Sequence, residues 1–144
     1  MPQSQLILYQ EKNGDVPLMQ WLDEESTRVQ IKAVAVLTKL AEFGHELRRP
    51  HADYLRDDIY ELRFKDGRRN LRILYFFAGR NIVVASPGLA KEAMVPPREI
   101  DLAISRRERF LHNPRTHTYS IRYQNLMTQS SPIDKEENVD EKES

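Results

Sequence analysis

Apolar positions along the chain fall in short blocks whose spacing changes from runs and alternation to three- and four-residue steps and back, which predicts a mixed α+β domain. Leu6-Ile7-Leu8-Tyr9 is an apolar run with a β-favouring tyrosine, ended by the polar turn Glu11-Lys12-Asn13-Gly14-Asp15, and reads as a first strand. Pro17 suits the first turn of a helix, where its missing N–H would be unpaired anyway, with Asp15 as a candidate N-cap. Leu18, Trp21 and Leu22 then share one face of a short helix ending near Glu25. Ser26 or Thr27 can cap a longer helix in which Val29, Ala33, Val36, Leu37, Leu40 and Ala41 form the apolar stripe, and Gly44 supplies a left-handed close.

Residues 45–58 are polar, contain Pro50 and read as a loop. Three β segments follow. In residues 59–64, Ile59, Glu61 and Arg63 alternate with Tyr60, Leu62 and Phe64; Asp66-Gly67 turns the chain into residues 71–77, where Leu71, Ile73 and Tyr75 alternate with Arg72, Leu74 and Phe76. Gly79 with Arg80-Asn81 turns it again into the apolar run 82–85. Pro96-Pro97 opens a last helix with Ile100, Ala103, Ile104 and Phe110 at near-helical intervals, acids near its start and arginines near its end, limited by Pro114. The expected architecture is an α+β, antiparallel-rich four-stranded sheet with an N-terminal helical hairpin on one face, a C-terminal helix, and a face left for a ligand. The expected division is one domain over residues 1–112 and a polar, acidic tail over 113–144 that cannot bury much surface.

Composition narrows the function classes. With 144 residues, 40% hydrophobic and 31% charged, the chain is of the globular kind. The lack of cysteine excludes a disulfide framework, a thiolate metal site and a cysteine nucleophile, and the absence of a long apolar segment argues against membrane insertion, leaving the cytoplasm as the expected location. Formal net charge is zero, but the total hides a basic middle. Arg63, Lys65, Arg68, Arg69, Arg72 and Arg80 face the single acid Asp66, while Asp134, Glu136, Glu137, Asp140, Glu141 and Glu143 make the C-terminal end acidic. No glycine-rich phosphate loop, paired-histidine zinc spacing or serine triad signature occurs, so neither a metal nor a cofactor is expected.

Arg63 and Arg72 are the most informative positions, because neighbouring strands of one hairpin can bring both guanidinium forks to a single anion site. The competing reading pairs them with Glu61 or Asp66 as ordinary sheet-face charges. The anion-site assignment therefore requires that both arginines share a face and are not locked to carboxylates. Arg68, Arg69 and Arg80 are candidate phosphate contacts or plain surface charge, and Tyr60 a candidate base-stacking or core residue. His51 and His45 border the polar loop, where an imidazole can accept a proton.

An ordered set of segments then becomes recognisable. Asn13-Gly14-Asp15-Val16-Pro17 leading to Trp21-Leu22-Asp23, Leu37-Thr38-Lys39-Leu40 with Gly44, Ile59-Tyr60-Glu61-Leu62-Arg63, Leu71-Arg72-Ile73-Leu74-Tyr75-Phe76 and Pro96-Pro97-Arg98-Glu99-Ile100 with Ala103 resemble the phage-derived, HigB-like toxins of the RelE/ParE superfamily. The resemblance implies a toxin of a type II toxin–antitoxin system that cleaves messenger RNA on the ribosome without a metal, forming a 2′,3′-cyclic phosphate. It implies a helix-turn-helix antitoxin as partner in a toxin–antitoxin hetero-oligomer. By position, Arg63 and Arg72 take phosphate binding and transition-state stabilisation, Lys91 matches the first of a basic pair after the last strand, and His51 and Tyr75 are secondary candidates for proton transfer. The chain departs from the pattern at Gly88-Leu89-Ala90-Lys91-Glu92, where the family carries Gly-Phe, a spacer and two lysines. Glu92 in place of a cation opens two alternatives: a catalytically degenerate toxin fold acting as antitoxin partner or co-repressor, and a ParE-like gyrase inhibitor.

Overall fold

The computed structural model describes residues 5–90 and 94–120. The elements are β1 (Gln5–Tyr9), α1 (Pro17–Asp23), α2 (Thr27–Phe43), a 3-10 turn (Gly44–Glu46), β2 (Ala52–Arg56), β3 (Ile59–Asp66), β4 (Arg69–Ala78), β5 (Asn81–Val84), β6 (Leu89–Ala90), α3 (Pro97–His112) and β7 (Thr118–Ser120). They build one seven-stranded mixed sheet in the order β2-β3-β4-β5-β1-β7, with β6 paired to β4. The four-stranded antiparallel-rich sheet expected from the sequence is therefore wrong in strand number and in strand sense, since β1 runs parallel to β5, Leu6 opposite Ile82 and Leu8 opposite Val84.

Three strands are too short or too exposed to carry an apolar alternation, which is why the sequence pattern did not show them. β2 lies at the sheet edge with one buried residue, Ala52, and its pairing with β3 shifts register between Tyr54 and Arg56. The two-residue turn that follows holds Asp57 and Asp58 at positive φ (51° and 68°), the conformation a tight hairpin demands and one that aspartate tolerates better than most residues. β6 and β7 are two and three residues long. β7 pairs with β1, so the chain continues into the sheet beyond α3. The acidic stretch from Asp134 onward lies outside the described residues.

Helix ends follow local chemistry with one correction. Ser26 caps α2 through the Val29 N–H, and Gly44 closes it at φ 54°. α1 is instead entered from Val16, with Pro17 in its first turn and no side-chain cap. Asp15 is turned back to Asn13, whose side-chain oxygen accepts from the Asp15 N–H.

Both sheet faces are buried, and the division places the site. On one face Leu6, Leu8, Leu62, Ile73, Tyr75, Ile82 and Val84 pack with α1 and α2 through Leu18, Leu22, Ala33, Leu37 and Leu40. On the other, Ile7, Tyr9, Ile59, Leu74, Phe76 and Val83 pack with Ile100, Ala103 and Phe110 of α3. β1 contributes to both clusters, which accounts for its unbroken apolar run. α3 crosses the strands, tied at the β2–β3 end by Arg56–Asp101 (2.7 Å) and Arg107–Asp58 (3.4 Å) and at the β1 end by Arg106–Glu11 (3.2 Å). Arg106 also donates to the Ala85 carbonyl at 3.0 Å. The helix thus covers the level of Ile59 and Phe76, not the part of β3 and β4 nearest their shared turn. Among the described residues no helix is long and apolar enough to cross a membrane.

Candidate active site

The pairing of β3 with β4 puts Arg63 directly opposite Arg72, and residues paired across a ladder share a face of the sheet. The Arg63 N–H donates to the His51 carbonyl at 2.7 Å, which carries the row one strand further. On its other side Arg72 lies opposite Leu89 of β6. His51, Arg63, Arg72 and Lys65 line a cleft of about 340 Å³ together with Pro50 and Asn70. Two of the sequence's catalytic candidates and one of its secondary candidates thus come together on a face that α3 leaves uncovered.

Glu61 decides how the two arginines differ. It precedes Arg63 by two residues, so it shares the same face, and its Oε1 accepts from Arg72 Nη1 at 2.9 Å. Side-chain exposure is 6% for Glu61 and 9% for Arg72, so this is a desolvated ion pair. Arg63 Nε stands 4.0 Å from Glu61 Oε2 and the side chain is 38% exposed, which leaves its donors open to a ligand. Of the two readings of these arginines, Arg72 follows carboxylate pairing and Arg63 keeps the accessible guanidinium an anion site requires. The condition that neither guanidinium be locked to a carboxylate thus fails at Arg72, while Arg63 keeps only the long 4.0 Å contact with the same Glu61.

The remaining candidates lie elsewhere. Tyr75, opposite Tyr60, is on the α2 face, 1% exposed, and burial pushes its phenol above the ordinary value of 10.0. It is not among the groups lining the cleft. Tyr60 stacks on Tyr75 with ring centres 5.4 Å apart. Arg69 is committed to Glu25 by two bonds of 3.1 Å, while Arg68 is exposed at the hairpin tip. Arg80 sits in the turn past the far end of β4, whose last residue, Ala78, is roughly 20 Å from Arg72 at the strand rise per residue. Asp66 does not pair with the row: Arg28 at 2.6 Å and Lys32 at 3.4 Å hold it against α2, and the hydrogen bond from Arg28 lowers its carboxyl below the ordinary 3.8. Lys91 and Glu92 lie outside the described residues.

Lys65 is the lining residue that sequence reasoning did not single out. Strand alternation from Arg63 would have found it, since residues two apart point the same way. Among the described residues no group of acids and histidines is arranged to hold a metal. The cleft offers cationic donors and an imidazole, a set suited to a phosphodiester and to acid–base chemistry on it.

A family model described as phage-derived protein Gp49-like (DUF891) matches residues 20–108, from within α1 to within α3. That span contains every residue of the cleft. No curated protein matches the chain.

Proposed function

From the premise that the chain belongs to the phage-derived Gp49-like family, a RelE/ParE-like toxin family, we propose that it is a HigB-like toxin that cleaves messenger RNA on the ribosome and is neutralised by a helix-turn-helix antitoxin. The observation that carries the reading is the row His51–Arg63–Arg72 along one cleft, with the Arg63 guanidinium accessible. In the proposed step the 2′-hydroxyl loses its proton to His51 and its oxygen bonds to the adjacent phosphorus. The bond from phosphorus to the 5′ oxygen breaks, and that oxygen takes a proton from solvent. The products are a 2′,3′-cyclic phosphate and a free 5′-hydroxyl.

Arg63 and Lys65 stabilise the charge that builds on the phosphorane oxygens, the contribution that arginine can make because it stays protonated. Arg72, held by Glu61, fixes the floor of the cleft and retains donors not used in that pair. Lys91 keeps its family-implied place as a further cation.

A second reading is favoured by the Arg72–Glu61 pair itself, which removes a cation from the phosphate. In it the fold binds antitoxin or operator complex without cutting RNA. Controlled expression in bacteria with ribosome-bound message mapped for cleavage separates the two. Cuts within codons support the nuclease, harmless expression supports the binding reading, and DNA damage without cuts shows gyrase inhibition instead.

A further inference from the structure

A second cleft, of about 530 Å³, opens on the other side of the same edge of the sheet. The chain from Arg48 to Asp53 is the wall between the two: Pro50 and His51 line the cleft described above, and Arg48, Arg49, Ala52 and Asp53 line this one. Its floor is aromatic. Tyr54 meets Tyr60 edge-on with ring centres 5.1 Å apart, and His45 is stacked on Phe77. Tyr54 is 52% exposed, yet its hydroxyl is fixed, since it accepts from the Asp58 N–H in the β2–β3 turn at 3.2 Å. The ring is therefore a held plate and not a freely rotating side chain. Arg49 is taken by Asp53 at 2.8 Å, whereas the exposed Arg48 guanidinium has no hydrogen-bond or ion-pair partner among the described residues.

A fixed, half-open tyrosine and an uncommitted arginine, one chain's width from a phosphate-suited row, form the combination that binds single-stranded nucleic acid: an aromatic plate for a base and a cation for the backbone. β2 is an edge strand, so a strand of RNA can pass over it from one cleft to the other. We propose that the cleft of His45, Arg48, Tyr54 and Tyr60 is a second nucleotide subsite, holding an unpaired base of the RNA whose phosphate lies against Arg63. The inference rests on the RNA-binding reading of the first cleft and adds to it a requirement for a single strand and a contact with a base flanking the scissile phosphate.

The test is a fluorescence-anisotropy titration of the full chain with a labelled single-stranded 2′-O-methyl RNA, which cannot be cleaved, repeated with an abasic residue at each position in turn. Tyr54→Leu should weaken binding about tenfold, the effect of losing one base–aromatic stack, and Tyr54→Phe, which keeps the ring but loses the hydroxyl that Asp58 holds, should weaken it clearly less. One abasic position should weaken the unchanged protein by a similar factor and weaken Tyr54→Leu no further, because the partner it removes is already gone. If every abasic penalty adds in full to that of Tyr54→Leu, or if Tyr54→Phe binds as poorly as Tyr54→Leu, the subsite is overturned while the first cleft stands. If the unchanged protein binds no RNA, or if Arg63→Ala leaves affinity intact, the reading of the first cleft falls and the subsite with it. Tight binding of a partner protein that Tyr54→Leu abolishes, with RNA affinity unaltered, would make this cleft a protein-docking surface instead.

Discussion

Arg72 donates to Glu61 at 2.9 Å across two adjacent strands, and both side chains are closed off from water. Two charges so placed stabilise each other but leave a heavy penalty if one is removed. Arg72→Ala should therefore destabilise the fold by about 3–5 kcal/mol, the range for stripping one partner from a buried pair. The double change Arg72→Leu with Glu61→Leu should recover most of that loss, because the paired charges also cost solvation. Urea denaturation of the single and double variants measures both. A single variant as stable as the parent would show that the pair is solvated.

Arg63 is the clean probe of the proposed nuclease chemistry, since it is 38% exposed and its contact with Glu61 is long. Arg63→Ala should cut message cleavage by at least about a hundredfold, the usual effect of losing a donor to a developing oxyanion, with thermal stability little changed. His51→Ala should reduce cleavage on a similar scale as a lost proton acceptor, about 10²–10⁴-fold. Cut mapping on ribosomes read beside a melting curve decides the matter. Full activity in both variants would leave the cleft without a catalytic role.

Gly88 has no room for a side chain, because a Cβ there would run into the Trp21 indole. Gly88→Ala should cost about 1–3 kcal/mol by overpacking. Trp21 is the single tryptophan, so its emission reports the displacement directly. Trp21→Leu in the same chain should relieve part of the loss. Unchanged stability and emission in Gly88→Ala would contradict the packing.

Asp66 and Asp53 have carboxyls held below the ordinary value of 3.8, chiefly by hydrogen bonds from Arg28 and Arg49 respectively. A depressed folded-state value means that the unfolded chain takes up protons first on acidification. The stabilisation from these pairs is thus fully present above pH 3.8 and is lost as pH falls below it. Asp66→Asn should flatten the pH dependence of stability in that window. It should also loosen the tie between α2 and the β3–β4 hairpin. Denaturation midpoints between pH 2 and 5 test it, and an unaltered slope would sink the assignment.

Much of the site was legible because strand alternation is local. Period two placed Ile59, Glu61 and Arg63 on one side and Tyr60 on the other, so the separation of Tyr60 and Tyr75 from the arginine row was already written in the spacing. Alternation also put Glu61 beside Arg63, but it offered both arginines the same partners. That Arg72 takes Glu61, while Asp66 turns to Arg28 and Lys32 of α2, depends on which helix lies under the hairpin. The edge strand β2 escaped because four of its five residues are not buried, leaving no apolar rhythm to read.

The sequence by itself determined the helices, the β3–β4 hairpin and the face on which each of its side chains stands, since these follow from backbone period, caps and turns within a few residues. Only the tertiary structure decided that β1 enters the sheet parallel to β5, that β7 extends it, and that α3 stops short of the basic row. Those outcomes rest on contacts between residues far apart in the chain, such as Arg106 with Glu11, 95 positions away. Such a contact is selected by the packing of whole elements, and no local pattern carries its energy.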